Sequence, residues 1–146
     1  MTLLMNSSVS AADRNRRWAW TIISAGCLLG ALLGLWSFDG PVKAPAGFES
    51  VDALPRRLMR LAHIAMIALP VLNLHLADSL DRARISRARQ VLIAKLFLGG
   101  TIGLPALLAA AAFIPVVKYA LVVPVGSLII PALLLASATM RERTTS

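Results

Sequence analysis

The sequence has few of the groups on which soluble enzymes depend. Charged residues make up only 15% of the chain, and the single cysteine, Cys27, excludes an intrachain disulfide. A metal-binding cysteine pair, an HExxH motif, a glycine-rich phosphate loop and a Ser/His/Asp set are all missing from the sequence. No acidic residue falls inside a long apolar run, which argues against a proton-coupled transporter. We therefore expect a protein without catalysis of its own.

Apolar residues are abundant instead, at 58% of the chain with a mean hydropathy of +0.74, which is typical of an integral membrane protein. Four apolar runs are each long enough, at about 1.5 Å per residue, to cross roughly 30 Å of hydrocarbon. These predicted spans are residues 18–36, 56–77, 91–113 and 119–139. The predicted fold class is an all-α integral membrane protein, a single domain over residues 18–139 with four transmembrane helices in an up-down bundle.

The remaining segments carry most of the charge. They are the tails at residues 1–17 and 140–146, an outer loop at 37–55 and a basic loop at 78–90, in which Asp78 and Arg82 are spaced to pair on a helix surface. The net charge of +8 comes from arginines that flank apolar runs, so we expect a lipid bilayer as partner and no nucleic acid. With the basic loop inside, about ten basic residues face about five, which predicts cytoplasmic termini in a bacterial inner membrane.

Glycine recurs at helical spacing in two spans. Gly26, Gly30 and Gly34 follow one another every four residues, and Gly99 and Gly103 form a second pair. Such positions let two backbones approach closely, which packing in lipid requires. The alternative is that glycine is simply common in membrane helices. Because these surfaces exceed what four short helices need, we expect other membrane subunits or further copies of the chain as partners.

The second span contains both histidines. If it is a helix turning about 100° per residue, five polar, sulfur-bearing or helix-bending residues share one face. They are Met59, His63, Met66, Pro70 and Asn73. His75 falls on the opposite face and about 18 Å farther along the axis, so the two histidines do not serve one site within a single helix.

His63 has a cofactor interpretation because an imidazole in hydrocarbon needs a partner. It is placed to be an axial ligand of a b-type haem, with Arg56, Arg57 or Arg60 meeting the propionates. No second histidine lies at that depth, so a six-coordinate haem requires a ligand from another chain.

Two other interpretations of the same face stay open. Met59, His63 and Met66 have the spacing and the soft donors of a Cu(I) site, although methionine in an apolar helix is more often core filling. Alternatively, His63 and Asn73 hydrogen-bond to neighbouring helices or to a quinone-like ligand, each interhelical bond contributing about 1 kcal/mol.

The sequence thus predicts a small polytopic inner-membrane protein that is an accessory or assembly subunit of a larger membrane complex. A respiratory or electron-transfer context depends on His63 and its neighbouring arginines alone. An electron carrier that binds haem b or copper through His63 is the alternative, and a small transporter ranks third.

Overall fold

The computed structural model describes residues 10–37 and 40–144, with only the backbone described at Thr139 and residues 141–144. Predictions for residues 1–9, 38–39 and 145–146 lie outside this part. The described chain is helical and contains no strand. Its elements are α1 (Ala11–Gly34), α2 (Leu54–Arg82), α3 (Arg87–Phe113), a 3-10 helix (Pro115–Leu121) and α4 (Val122–Thr144).

The first helix begins well before the predicted span at residue 18. Ser10 caps it, because its side-chain oxygen accepts a hydrogen bond from the Asp13 backbone N–H at 3.0 Å. Asp13 then lies in the first turn, where a negative charge is favourable. Residues 11–17 are therefore helical, although their composition is polar.

The connection between α2 and α3 is shorter than the basic segment 78–90. Residues 78–82 continue α2 for one turn beyond the predicted span, as the spacing of Asp78 and Arg82 predicts, and residues 87–90 already belong to α3. Ser86 caps α3 by accepting from the Arg89 backbone N–H at 3.4 Å, and the Gln90 side-chain amide donates to the Leu80 carbonyl at 3.3 Å. Only residues 83–86 remain between the two helices.

The helices pack mainly on their neighbours in the chain: α1 on α2, α2 on α3, and α3 on α4, with a smaller contact between α1 and α3. The first apolar cluster joins α2 and α3 through Leu76, Leu80, Ile93, Ala94 and Phe97. The second joins Phe48 of the outer loop to Met59 and Ala112. Both ends of the α2–α3 pair are thus fixed by a buried cluster.

All four helical segments are long and apolar enough to cross a membrane, the fourth counted from Pro115 to Ala138. Large apolar side chains are exposed along them, including Leu28, Ile64, Leu92 and Leu133. In water such a surface is unfavourable, whereas in a bilayer it is ordinary. The architecture is that of a multi-pass membrane protein.

Candidate functional site

The face of α2 that carries His63 packs on α1. Met59, Pro70 and Asn73 are buried, and His63 and Met66 are half-buried. The close approach takes place at Gly26, where an added Cβ would lie 2.9 Å from Ile67 Cδ1 and 3.0 Å from Met66 Cβ. Side chains at this position of α1 would push the two helices apart.

His63 fills the space left by a second glycine of α1. Its Nδ1 lies 3.0 Å from the Gly26 carbonyl oxygen. Because a carbonyl only accepts, Nδ1 is the protonated nitrogen and donates this bond. A Cβ on Gly30 would lie 2.5 Å from His63 Cε1 and 3.0 Å from Nε2, so the ring rests directly on the α1 backbone. The imidazole therefore packs between α1 and α2.

The nitrogen that a haem iron would take faces α1, since a Cβ on Gly30 would lie 3.0 Å from His63 Nε2. Arg56 is also engaged, because its guanidinium donates to the Trp36 carbonyl at 3.1 Å, to Ser37 Oγ at 3.3 Å and to two further loop carbonyls.

The other two arginines considered for propionates do not converge on His63 either. Arg60 donates to the Val51 carbonyl at 3.2 Å. Arg57 is exposed and lines a shallow depression with Arg60, Leu61 and Ile64. The arginines of this end therefore hold the outer loop or face outward.

Met59 and Met66, the two sulfur ligands of the predicted copper site, both pack against other parts of the chain. Met59 is only 8% exposed and packs in the apolar cluster with Phe48 and Ala112. Met66 contacts Gly26 through its Cβ and backbone oxygen. Within residues 10–37 and 40–144, no group of three or more His, Cys, Asp or Glu side chains could hold a metal ion.

A buried amide pair lies toward the other end of the α1–α2 interface. Asn15 and Asn73 are both 0% exposed, and Asn15 Nδ2 donates to Asn73 Oδ1 at 2.8 Å and to the Ala94 carbonyl of α3 at 3.2 Å. Asn73 Nδ2 lies 3.5 Å from the Asn15 carbonyl. Asn15 thereby connects three helices, while its own Oδ1 has no donor in the described chain.

An ion cluster extends from this pair to the end of α2. Arg16 contacts Asp13 at 3.2 Å in its own helix, and Asp78 at 2.9 Å and Asp81 at 2.5 Å in α2. Asp78 is thus hydrogen-bonded to a residue 62 positions away in the sequence, while the predicted interaction with Arg82 remains as a weaker electrostatic one. All three carboxylates are about half exposed, so the cluster lies at the surface.

The glycines of the sequence differ in what they face. A Cβ on Gly100 would lie 2.6 Å from Leu128 Cγ and 2.9 Å from the Pro124 carbonyl, and one on Gly103 would lie 3.3 Å from Pro124 Cβ. These two positions form the close contact between α3 and α4. In the described chain, a Cβ built on Gly34 or Gly99 would meet no other atom within 4 Å.

Asn15, Arg16 and Gly100 were not among the residues singled out from the sequence. The buried residues of α1 are Ala12, Asn15, Ala19, Ile22 and Gly26. Their alternating spacing of three and four is the signal for Asn15, and it continues into the segment interpreted as a tail. For α3, a rotation of about 100° per residue places Gly100 near Ile93 and Phe97, and Gly99 on the other side.

The polar side chains inside the helix bundle therefore bond to one another and to the backbone. Thr101 follows the same rule, since its buried hydroxyl donates to the Phe97 carbonyl at 2.8 Å in its own helix.

No protein-family model, curated protein or solved structure matches this chain.

Proposed function

We propose that this chain is an accessory or assembly subunit of a larger membrane complex and performs no chemistry of its own. The observation that carries the proposal is the use of the intramembrane polar groups. His63 bonds to Gly26, and Asn15 bonds to Asn73 and Ala94, so these groups join helices instead of lining a shared cavity. Polar groups that join helices in this way suit a scaffold.

The proposed orientation places both termini in the cytoplasm of an inner membrane, with the helices running up and down. The contacts of Asn15 with Asn73 and of Gly30 with His63 support opposite directions for α1 and α2. Residues 10–17 and 78–90 contain seven arginines, whereas the outer end holds five basic residues, which are Lys43, Arg56, Arg57, Arg60 and Lys118. This asymmetry favours the basic end as the cytoplasmic one.

The partner surface is proposed to include the open glycines. Among the described residues, nothing lies within 4 Å of a Cβ built on Gly34 of α1 or Gly99 of α3, so another helix can approach their backbones closely. Other subunits and further copies of this chain both satisfy this geometry.

The test is to extract the full chain from its native membrane in a mild detergent and separate it by native gel electrophoresis. We expect an assembly larger than the monomer, which Gly34→Leu disrupts. Ala25→Leu is the matched control, because Ala25 is also exposed on α1 but lies about 180° around the helix from Gly34. Recovery of the wild-type chain as a monomer alone contradicts the proposal.

The same preparation tests the electron-carrier alternative. We expect a flat reduced-minus-oxidised absorption spectrum and no stoichiometric copper. A Soret band, or copper bound in a fixed ratio, that disappears in His63→Ala would overturn the non-redox proposal and favour a carrier.

A further inference from the structure

A cavity of about 300 Å³ lies between the start of α3 and the end of α4. Its walls are mainly apolar, with Ile85, Leu92 and Ile93 on one side and Leu134 and Ala138 on the other. Arg89 also lines it. The cavity therefore combines a mainly apolar lining with one arginine.

Arg89 is available to bind a ligand. Its side chain is exposed and forms no hydrogen bond or ion pair with the side chains that the structure describes, which do not include those of Thr139 and residues 141–144. Its backbone N–H, by contrast, is used by the Ser86 cap, which fixes this residue in the first turn of α3. Apolar residues begin at Val91, so Arg89 lies where the polar segment meets the membrane run. Phosphate groups of lipids occupy that level of a bilayer.

The positive charge around the cavity favours an anionic ligand. Residues 10–17 and 78–90 contain seven arginines and three aspartates, which leaves four positive charges. Arg16 contacts all three of these aspartates. The excess of positive charge in these two segments favours an anion at this end of the bundle.

We propose that this cavity binds an anionic phospholipid, with the phosphate on Arg89 and one acyl chain against Leu92 and Leu134. The apolar walls recognise the chain, and the basic end favours an acidic headgroup over a zwitterionic one. Ser137 lies beside the cavity but does not supply a headgroup donor, because its hydroxyl already donates to the Leu134 carbonyl at 2.8 Å. Arg89 is therefore the residue on which headgroup selectivity depends.

A second groove provides an internal control. It lies between α2 and α4, and its lining residues include Phe97, Leu72, Leu76 and Leu135. Ala132 lines this groove, whereas Ala138 lines the proposed lipid cavity, so tryptophan at each position fills one space only. For the headgroup contact, Arg57 is the control, since it is an exposed arginine beside apolar Leu61 and Ile64 at the far end of α2.

Native mass spectrometry of the full chain, titrated with phosphatidylglycerol or phosphatidylcholine in detergent, measures the binding directly. We expect phosphatidylglycerol to bind more tightly, Arg89→Gln to weaken it about fivefold, and Ala138→Trp to remove the adduct. Arg57→Gln and Ala132→Trp should bind as the wild type does. Glycerol phosphate, which lacks acyl chains, should not compete.

Equal affinity for the two lipids overturns the proposal, as does an equal loss in Arg57→Gln and Arg89→Gln. Competition by glycerol phosphate would show a simple anion site and also overturn it. A dimer whose formation excludes lipid would identify a second copy as the occupant and overturn it as well. Circular dichroism checks that Ala138→Trp is folded, and Arg89→Gln decides the question if it is not.

Discussion

Replacing Asn73 with leucine should destabilise the helix bundle by removing the amide pair between α1 and α2. Asn73 Oδ1 accepts from Asn15 Nδ2 at 2.8 Å, and both side chains are completely buried. Leucine is similar to asparagine in size, so the substitution changes polarity more than packing. The leucine variant leaves Asn15 Nδ2 with only the Ala94 carbonyl, at 3.2 Å.

The magnitude follows from two costs. An interhelical hydrogen bond in a membrane protein contributes on average about 0.6 and at most about 1.7 kcal/mol. The buried Asn15 amide also loses one of its two hydrogen-bond acceptors, which adds to the cost, because an unpaired buried polar group costs about 1–3 kcal/mol. We expect a loss of about 1–2 kcal/mol for Asn73→Leu. The double variant Asn15→Leu/Asn73→Leu should lose less than the sum of the singles, with a coupling energy of about 0.6–1.7 kcal/mol.

Reversible unfolding in mixed micelles, titrated with dodecyl sulfate and followed by circular dichroism, measures all four proteins of this cycle. Ser24→Ala is the control, because Ser24 is exposed on α1 and its hydroxyl donates to the Trp20 carbonyl of the same helix. Additive effects of the two asparagine substitutions would refute a direct interaction between these side chains.

Two further substitutions test the α1–α2 interface with the same unfolding assay. Gly30→Ala should lower the free energy of unfolding by about 1–3 kcal/mol, because the new Cβ would lie 2.5 Å from His63 Cε1. Gly34→Ala has open space and should be neutral or slightly stabilising. Equal losses in the two variants would contradict the close contact at Gly30. Arg16→Gln should destabilise the protein at low salt and much less at high salt, because Arg16 contacts three half-exposed carboxylates. Arg17→Gln should have little effect at either salt concentration. A salt-independent loss in Arg16→Gln would show that the role of Arg16 is packing.

Hydropathy and helical periodicity predicted the features that depend on local sequence. The four apolar runs coincide with four helical segments of membrane-spanning length. The α2 face with Met59, His63 and Asn73 was also found by rotation of about 100° per residue, because that face is the one packed on other elements. What the sequence alone left open was the partner of each polar group on this face.

The remaining features depend on contacts between distant residues. Arg16 binds Asp78 and Asp81, which follow it by 62 and 65 positions, and a pattern confined to one helix favours the nearer Arg82 instead. A hydropathy window does not identify Asn15, because it separates polar residues from the membrane run, although the helix and its buried residues continue through them. Mean hydropathy reports contact with lipid, whereas small and polar residues determine contact between helices.

The nearest-neighbour packing of the helices has a consequence for biogenesis. Since α2 packs on α1, α3 on α2 and α4 on α3, each helix leaving the ribosome finds its principal partner already inserted. The chain can therefore assemble in the order of its synthesis, beginning with the hairpin that Asn15 and Asn73 join. Because α4 packs only on α3 and the preceding 3-10 helix within the described chain, it is the last element to dock and the first that can separate.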